Sequence, residues 1–182
     1  MLNAFNSLLI MIDVQEKLVN ALNTEDKKSI EEKTLKIINA AKILKIDTIV
    51  TEQYPKGLGT TLKPVIDILG ENYKPFEKTN FSVTGEENIF NAIKKTGKKQ
   101  IVVFGMEAHI CIFQTAITLK EKGYEVFVVS DGSFSRKKEE KEAAFQNMRH
   151  TGILTPTVEM VLFMWLKGSN NPCFKEVQAL IK

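Results

Sequence analysis

The sequence predicts an α/β fold, a three-layer α/β/α sandwich around a parallel sheet. Three observations carry that expectation. Short apolar runs alternate along the chain with segments of helical spacing, the order of successive βαβ units. The runs are continuously apolar rather than alternating, as in strands covered on both faces. Several end in polar residues, at the edge where open α/β sheets bind ligands.

The elements follow in order. "SLLIMID" (7–13) is too short for a helix and reads as a buried first strand, with "VQEKLVNAL" able to start a short helix after it. Residues 25–45 carry Ile30, Leu35, Ile38, Ala41 and Ile43 near helical spacing, and "IDTIVTEQ" (46–53) is the next strand. "YPKGLGTTLKP" holds two glycines and two prolines and reads as a loop. "LKPVIDILG" predicts a short helix, and "YKPFEKTNFSV" an irregular stretch with a strand near 76–78. "EENIFNAIKKTG" is a helix closed by Gly97. The strand "QIVVFG", the helix "CIFQTAITLKEKG" ended by Gly123, and the strand "YEVFVVSD" come next. Residues 137–150 are expected to be helical, "GILTP" a short strand, "TVEMVLFMWLKG" an apolar helix and "CFKEVQALIK" a last short helix. No repeat, low-complexity tract or linker divides the chain, so residues 1–182 are expected to form one domain.

Composition narrows the function classes. Hydrophobic residues make up 43% and charged residues 26%, which suits a globular chain with a sizeable core. The formal charge is +3, from 25 basic and 22 acidic residues without a basic arm or a basic-aromatic stripe. A nucleic-acid partner is therefore not expected. "SRKKEEKEAA" reads as a solvated helix face. No apolar run reaches the roughly 18 residues a membrane span needs, and "MLNAFNSLLIMID" lacks the basic start and cleavage site of a signal peptide. Two distant cysteines, Cys111 and Cys173, suit a reducing compartment, so a cytoplasmic location is expected. No H-x-x-H or HExxH spacing points to a metal, and "GLG" at 57–59 lacks the strand-turn-helix context of a dinucleotide fingerprint, so no cofactor is expected.

Three residues could carry chemistry. Cys111 lies where a buried strand ends and a helix is expected to begin; a helix N-terminus can lower a thiol's pKa and hold an oxyanion. It could equally be a small packing residue. Asp13 ends an apolar strand and must be paired, solvated in a cleft or shifted in pKa; it could instead cap the following helix. Lys78, in "EKTNFS", could be a surface lysine. Together they form a workable set, in which the aspartate takes the thiol proton and the lysine favours the charged forms. His109, two positions from Cys111, need not face the thiol. His150 and Cys173 read as structural or exposed, and Trp165 and Met164 as packing residues.

The pieces "LLIMIDVQEKL", "FEKTNFS" and "GMEAHICIFQTAITLKEKGYEVFVVSDGSFSR" resemble the isochorismatase-like, or cysteine hydrolase, superfamily. "TEQYPKGLG" and "FKEVQALIK" resemble its subgroup of isochorismatase domain-containing proteins. The resemblance implies a Rossmann-like sheet of six parallel strands and a triad of Asp13, Lys78 and Cys111. It implies a cis peptide between Met106 and Glu107, and an oxyanion hole from the N–H groups of Glu107 and Cys111. It places Gln15 in the pocket, and Tyr54, Phe81 and His109 are candidate substrate contacts. It implies a small-molecule substrate and a homo-oligomer, a dimer or larger. Two departures shape the expected activity. "TEQYPKGLG" has no histidine where nicotinamidases of the superfamily hold zinc, and isochorismatases proper lack the nucleophilic cysteine. The leading expectation is a metal-independent cysteine hydrolase acting on a small amide or related C–N bond. The alternatives are a non-catalytic scaffold that keeps the fold, and an Asp13-centred ether hydrolase.

Overall fold

The computed structural model describes residues 1–182. Five parallel strands build one sheet: β1 (Ser7–Ile12), β2 (Asp47–Gln53), β3 (Phe76–Lys78), β4 (Gln100–Met106) and β5 (Glu125–Phe134). Their spatial order is β3-β2-β1-β4-β5. The helices are α1 (Glu16–Asn20), α2 (Thr24–Ile43), α3 (Pro55–Leu58), α4 (Lys63–Leu69), α5 (Glu87–Thr96), α6 (Phe113–Glu121), α7 (Lys138–His150), α8 (Val158–Leu166) and α9 (Phe174–Ala179). None is long and apolar enough to cross a membrane.

β1 and β4 are buried along their whole length, which explains their unbroken apolar sequences. Alternate residues serve opposite faces. Leu9, Met11, Val102 and Phe104 pack with α2 and α8, through side chains such as Ile30, Ile38 and Trp165. Leu8, Ile10, Ile101 and Val103 pack with α5, α6 and α7, through Ile89, Leu119 and Phe145. Each fully buried side chain of this size stabilises the fold by about 1.5–3 kcal/mol. α8 is core rather than surface on its Val161, Leu162 and Trp165 face, and the Trp165 indole donates to Ser7 Oγ at 3.0 Å.

The expected sixth strand is absent. "GILTP" makes a single bridge, Leu154 opposite Phe127, with Val128 N donating to Leu154 O at 2.9 Å and Ser130 N to Pro156 O at 2.8 Å. Pro156 has no N–H to donate, so the ladder cannot continue past that point. β5 in turn runs to Phe134, beyond the expected end at Asp131.

That extension passes through a register shift between Val103 and Gly105, after which Gly105 pairs with Ser133 and Met106 with Phe134. Gly105 sits at φ 122°, and a Cβ there would lie 2.0 Å from Ile12 O. Only glycine allows β4 to approach β1 this closely and hold that dihedral. Gly105→Ala is expected to destabilise the protein by at least about 2–3 kcal/mol, combining a strained dihedral with a backbone clash. Thermal unfolding monitored by circular dichroism reads this directly; an unchanged melting temperature would contradict the packing described.

Candidate active site

The strand order reverses at β1, whose neighbours are β2 on one side and β4 on the other. Loops leaving β1 and β4 therefore diverge, and a crevice opens beyond their carboxyl ends. Asp13 stands there, one residue past β1, at φ 51°. Aspartate tolerates this left-handed conformation better than a branched residue does. Its carboxylate is fully buried; Oδ1 accepts from Thr51 Oγ at 2.7 Å, and Oδ2 lies 2.8 Å from Lys78 Nζ. The alternative of Asp13 as a helix cap is not realised: α1 starts at Glu16, its N-cap is Gln15, and no side chain caps it.

Lys78 is the last residue of β3, two strands away, and its long stem spans the distance to Asp13. Nζ also approaches Gln53 Oε1 at 2.6 Å, Phe81 O at 3.1 Å and Asn80 O at 3.3 Å. The ammonium is thus ringed by oxygen atoms, which offsets its removal from water. Nζ and Oδ2 thus form a close, fully buried ion contact.

Cys111 does not open an α-helix as the sequence suggests. After β4 the Met106–Glu107 peptide is cis, and residues Ala108–Ile112 form a π-turn before α6 begins at Phe113. Glu107 O accepts from the N–H groups of Ile110 and Ile112, at 3.1 and 3.2 Å. The Glu107 N–H is engaged by no loop or side-chain acceptor. The thiol is buried and lies within electrostatic reach of both Asp13 and Lys78. Burial, and then the Asp13 charge, push the thiol up to about 12, against the opposing pull of Lys78. The pocket therefore works against the lowering that a helix N-terminus would give: in a dry site beside a carboxylate, a second negative charge is disfavoured. Burial likewise raises the Asp13 carboxyl above the ordinary carboxylate range, with Lys78 as the main opposing influence. The thiol thus lies in a dry pocket beside the contact of Asp13 with Lys78.

The remaining candidates divide. Gln15 is fully buried; Nε2 donates to Gln53 O at 3.1 Å and Gly59 O at 2.6 Å, while Oε1 accepts from Gln53 N at 2.8 Å. Both its N–H groups are occupied, so it braces the pocket wall instead of offering donors to a substrate. Tyr54 is largely exposed at φ 38°, with its ring over Gly57, where a Cβ would come within 2.3 Å. Phe81 has an exposed ring, and its carbonyl holds Lys78. His109 is tied by Nδ1 to Ser135 Oγ at 2.9 Å, at the end of β5. Glu107 Oε1 accepts from Arg136 Nε at 2.9 Å and from Arg136 N at 3.2 Å. No three His, Cys, Asp or Glu side chains converge as metal ligands.

Other strand-end carboxylates serve structure. Asp131 pairs with Lys33 at 2.8 Å and accepts from Val158 N at the start of α8. Glu52 accepts from Thr61 N, Thr61 Oγ and the Tyr73 hydroxyl. The sequence reading points to the Glu52–Gln53 strand end without giving Gln53 a role, and it missed Glu86. Glu86 Oε1 accepts from Thr79 N and Asn80 N, both at 2.8 Å, and so pins the turn whose carbonyls surround Lys78. A turn signal in "KTNFSVTGE" marks the segment but not which carboxylate closes it.

A parallel sheet in this order, with a carboxylate, an ammonium and a thiol gathered at its switch point, has the isochorismatase-type hydrolase fold. The chain belongs to that family: the isochorismatase domain model matches residues 7–159. It is 39% identical over 147 residues to isochorismatase domain-containing protein 1 of Salmo salar, covering 81% of this chain and 51% of that protein. The chain thus spans about half the length of that relative. Among solved structures, one of a protein named MAR1 ribonuclease from Caenorhabditis elegans superposes with a TM-score of 0.91 at 39% identity, covering 99% of this chain and 91% of that one. The Escherichia coli YcaC gene product, described as an octameric hydrolase of unknown specificity, shares the fold at 20% identity, with a TM-score of 0.87 and coverage of 99% and 94%.

Glu86 gives the site's support a pH signature. Its backbone hydrogen bonds from Asn80 and Thr79 lower its pKa from 4.5 to about 2. A carboxylate lowered in the folded state stabilises fully above its unfolded pKa and loses that contribution as pH falls through the folded value. Wild type should therefore be more stable than Glu86→Gln near neutrality, and the gap should close between pH 4.5 and about 2. Paired thermal melts across that range check it; a constant gap would contradict the assignment.

Proposed function

We propose that the chain is a metal-independent cysteine hydrolase that cleaves a small amide or related C–N bond, with Cys111 as nucleophile, Asp13 as base and then acid, and Lys78 as their electrostatic partner. The observation that carries this reading is the buried contact of 2.8 Å between Asp13 and Lys78, with the Cys111 thiol beside both. Because the thiol rests protonated, attack requires proton transfer as the sulfur–carbon bond forms. The sulfur adds to the carbonyl carbon while its proton passes to Asp13 Oδ2. The carbonyl oxygen gains the electron pair and is held by the N–H groups of Glu107 and Cys111. The C–N bond then breaks, Asp13 returns the proton to the leaving nitrogen, and a thioester remains on Cys111. Water adds to the thioester with Asp13 again as base, releasing a carboxylic acid and restoring the thiol. Lys78 keeps Asp13 ionised between these transfers.

The test uses a panel of small amides and an electrophilic acrylamide probe read by intact mass. Cys111→Ala should abolish turnover, a loss of at least about 10³-fold, and Asp13→Asn should slow it comparably. In the resting protein, Cys173 should be alkylated by iodoacetamide before Cys111. Turnover retained by Cys111→Ala would refute the covalent route.

One observation favours a second reading: a thiol pushed up to about 12 suits an incidental cysteine beside an aspartate-centred ether hydrolase. Product analysis with isochorismate distinguishes the two, since ether cleavage would survive Cys111→Ala. A labelled RNA belongs in the same panel because the Caenorhabditis elegans neighbour carries the name ribonuclease. A scaffold role without catalysis is the outcome if every substrate fails.

Self-association is the partner reading. The exposed side chains Met1, Met160 and Phe163, which line one cleft, and Leu154, which lines another with Met160, support it as an apolar surface that a second copy could cover. Sedimentation velocity is expected to give a dimer or larger, and a monomer at micromolar concentration would refute it.

A further inference from the structure

Away from the thiol, the structure gathers cations around a cleft that nothing above uses. It opens between the start of α2, the end of β5 and α7, with a volume of about 420 Å³. That lies within the ~300–1,000 Å³ range of small-molecule sites. Its charged lining is Arg136, Lys138, Lys141 and Arg149 against Asp26 and Glu142, an excess of two positive charges. We infer that this cleft binds a small molecule through a phosphate group.

Three of the cations, Lys141, Arg149 and Arg136, are anchored by protein groups, whereas Lys138 is largely exposed. Lys141 Nζ lies 4.3 Å from the centre of the Phe134 ring and 5.9 Å from that of Phe145. Both rings are buried, so the ammonium is fixed over a rigid aromatic wall. Arg149 lies 5.8 Å from the Phe145 ring, with Nε donating to Thr155 Oγ at 2.9 Å. Arg136 Nε is fixed by Glu107, and the Nη groups of both arginines hydrogen-bond to no protein atom. Two guanidinium groups with free Nη donors match phosphate oxygens.

Lys141 is the least satisfied of the four. It is half-buried and makes neither a salt bridge nor a hydrogen bond, whereas Lys138 lies 3.7 Å from Glu142. Burial lowers its pKa, with Asp26 and Asp131 opposing. Those carboxylates are otherwise engaged: Asp26 Oδ2 accepts from Asn23 Nδ2 at 2.7 Å, and Asp131 pairs with Lys33. A dianion in the cleft would compensate the lining's surplus, which a single carboxylate would leave half uncompensated. The site shares a wall with the candidate active site, because Ser135 lines the cleft and holds His109, while Arg136 holds Glu107.

The test titrates the full chain with inorganic phosphate and, separately, with glycerol phosphate at constant ionic strength, with acetate and chloride as comparators. Calorimetry and thermal shift should both report phosphate binding, weakened at least 10-fold in Lys141→Met and in Arg149→Gln and unchanged in Lys95→Met on α5. Arg149→Gln carries the test alone if Lys141→Met fails to fold. A tighter response to glycerol phosphate would assign the site to an organic phosphate, and equal responses to the phosphate group alone. Equal stabilisation by acetate, or equal phosphate binding by all three variants, would overturn the inference. A short oligoribonucleotide that displaces phosphate, with affinity falling steeply with salt, would overturn the small-molecule assignment in favour of nucleic acid.

Discussion

A carboxylate and an ammonium lie in contact at 2.8 Å with no side-chain exposure, and the surrounding architecture follows from keeping them so. Removing either partner from such a pair leaves an uncompensated buried charge, at about 3–5 kcal/mol. The protein therefore over-determines both positions. Asp13 is held by Thr51 and by its place at the end of a buried strand. Lys78 is held by Gln53 and by two carbonyls of a turn that Glu86 closes. Gln15 completes the scaffold by fixing the backbone of Gln53.

The same burial determines the charge state of the third group. An isolated thiol near a cation would ionise more readily, but here the cation already belongs to Asp13, and desolvation dominates. A thiolate there would add a second negative charge next to Asp13 in a site that burial keeps dry. In the proposed reaction Asp13 is the acceptor for the thiol proton, because its carboxylate is the charged group beside the sulfur.

The end of β5 couples two regions of the molecule. Its extension past the register shift puts Phe134, Ser135 and Arg136 between the thiol loop and the cationic cleft. Gly105 permits that extension by letting β4 sit against β1 without a side chain. One residue without a Cβ thus governs both the loop that carries Cys111 and the wall of the cleft.

Much of the fold was legible because it is local or strongly patterned. β1 and β4 were readable as continuous apolar runs since both faces of each are covered, and Gly97 ends α5 in the left-handed conformation glycine favours. Asp13, Lys78 and Cys111 were nameable from motifs, and the chain alone fixes their order and identity. Their proximity, the burial that disfavours a thiolate and the bracing role of Gln15 were decided only by the tertiary structure. So was the failure of "GILTP" to become a strand, which depends on where Pro156 meets β5. The cationic cleft closes only when the start of α2 meets β5 and α7, about a hundred residues further along the chain, so no local pattern announces it. Periodicity and turn chemistry report what each segment does with its own neighbours. Desolvation, pairing and charge state depend on which distant atoms fill the space around a group, and only the folded chain supplies those.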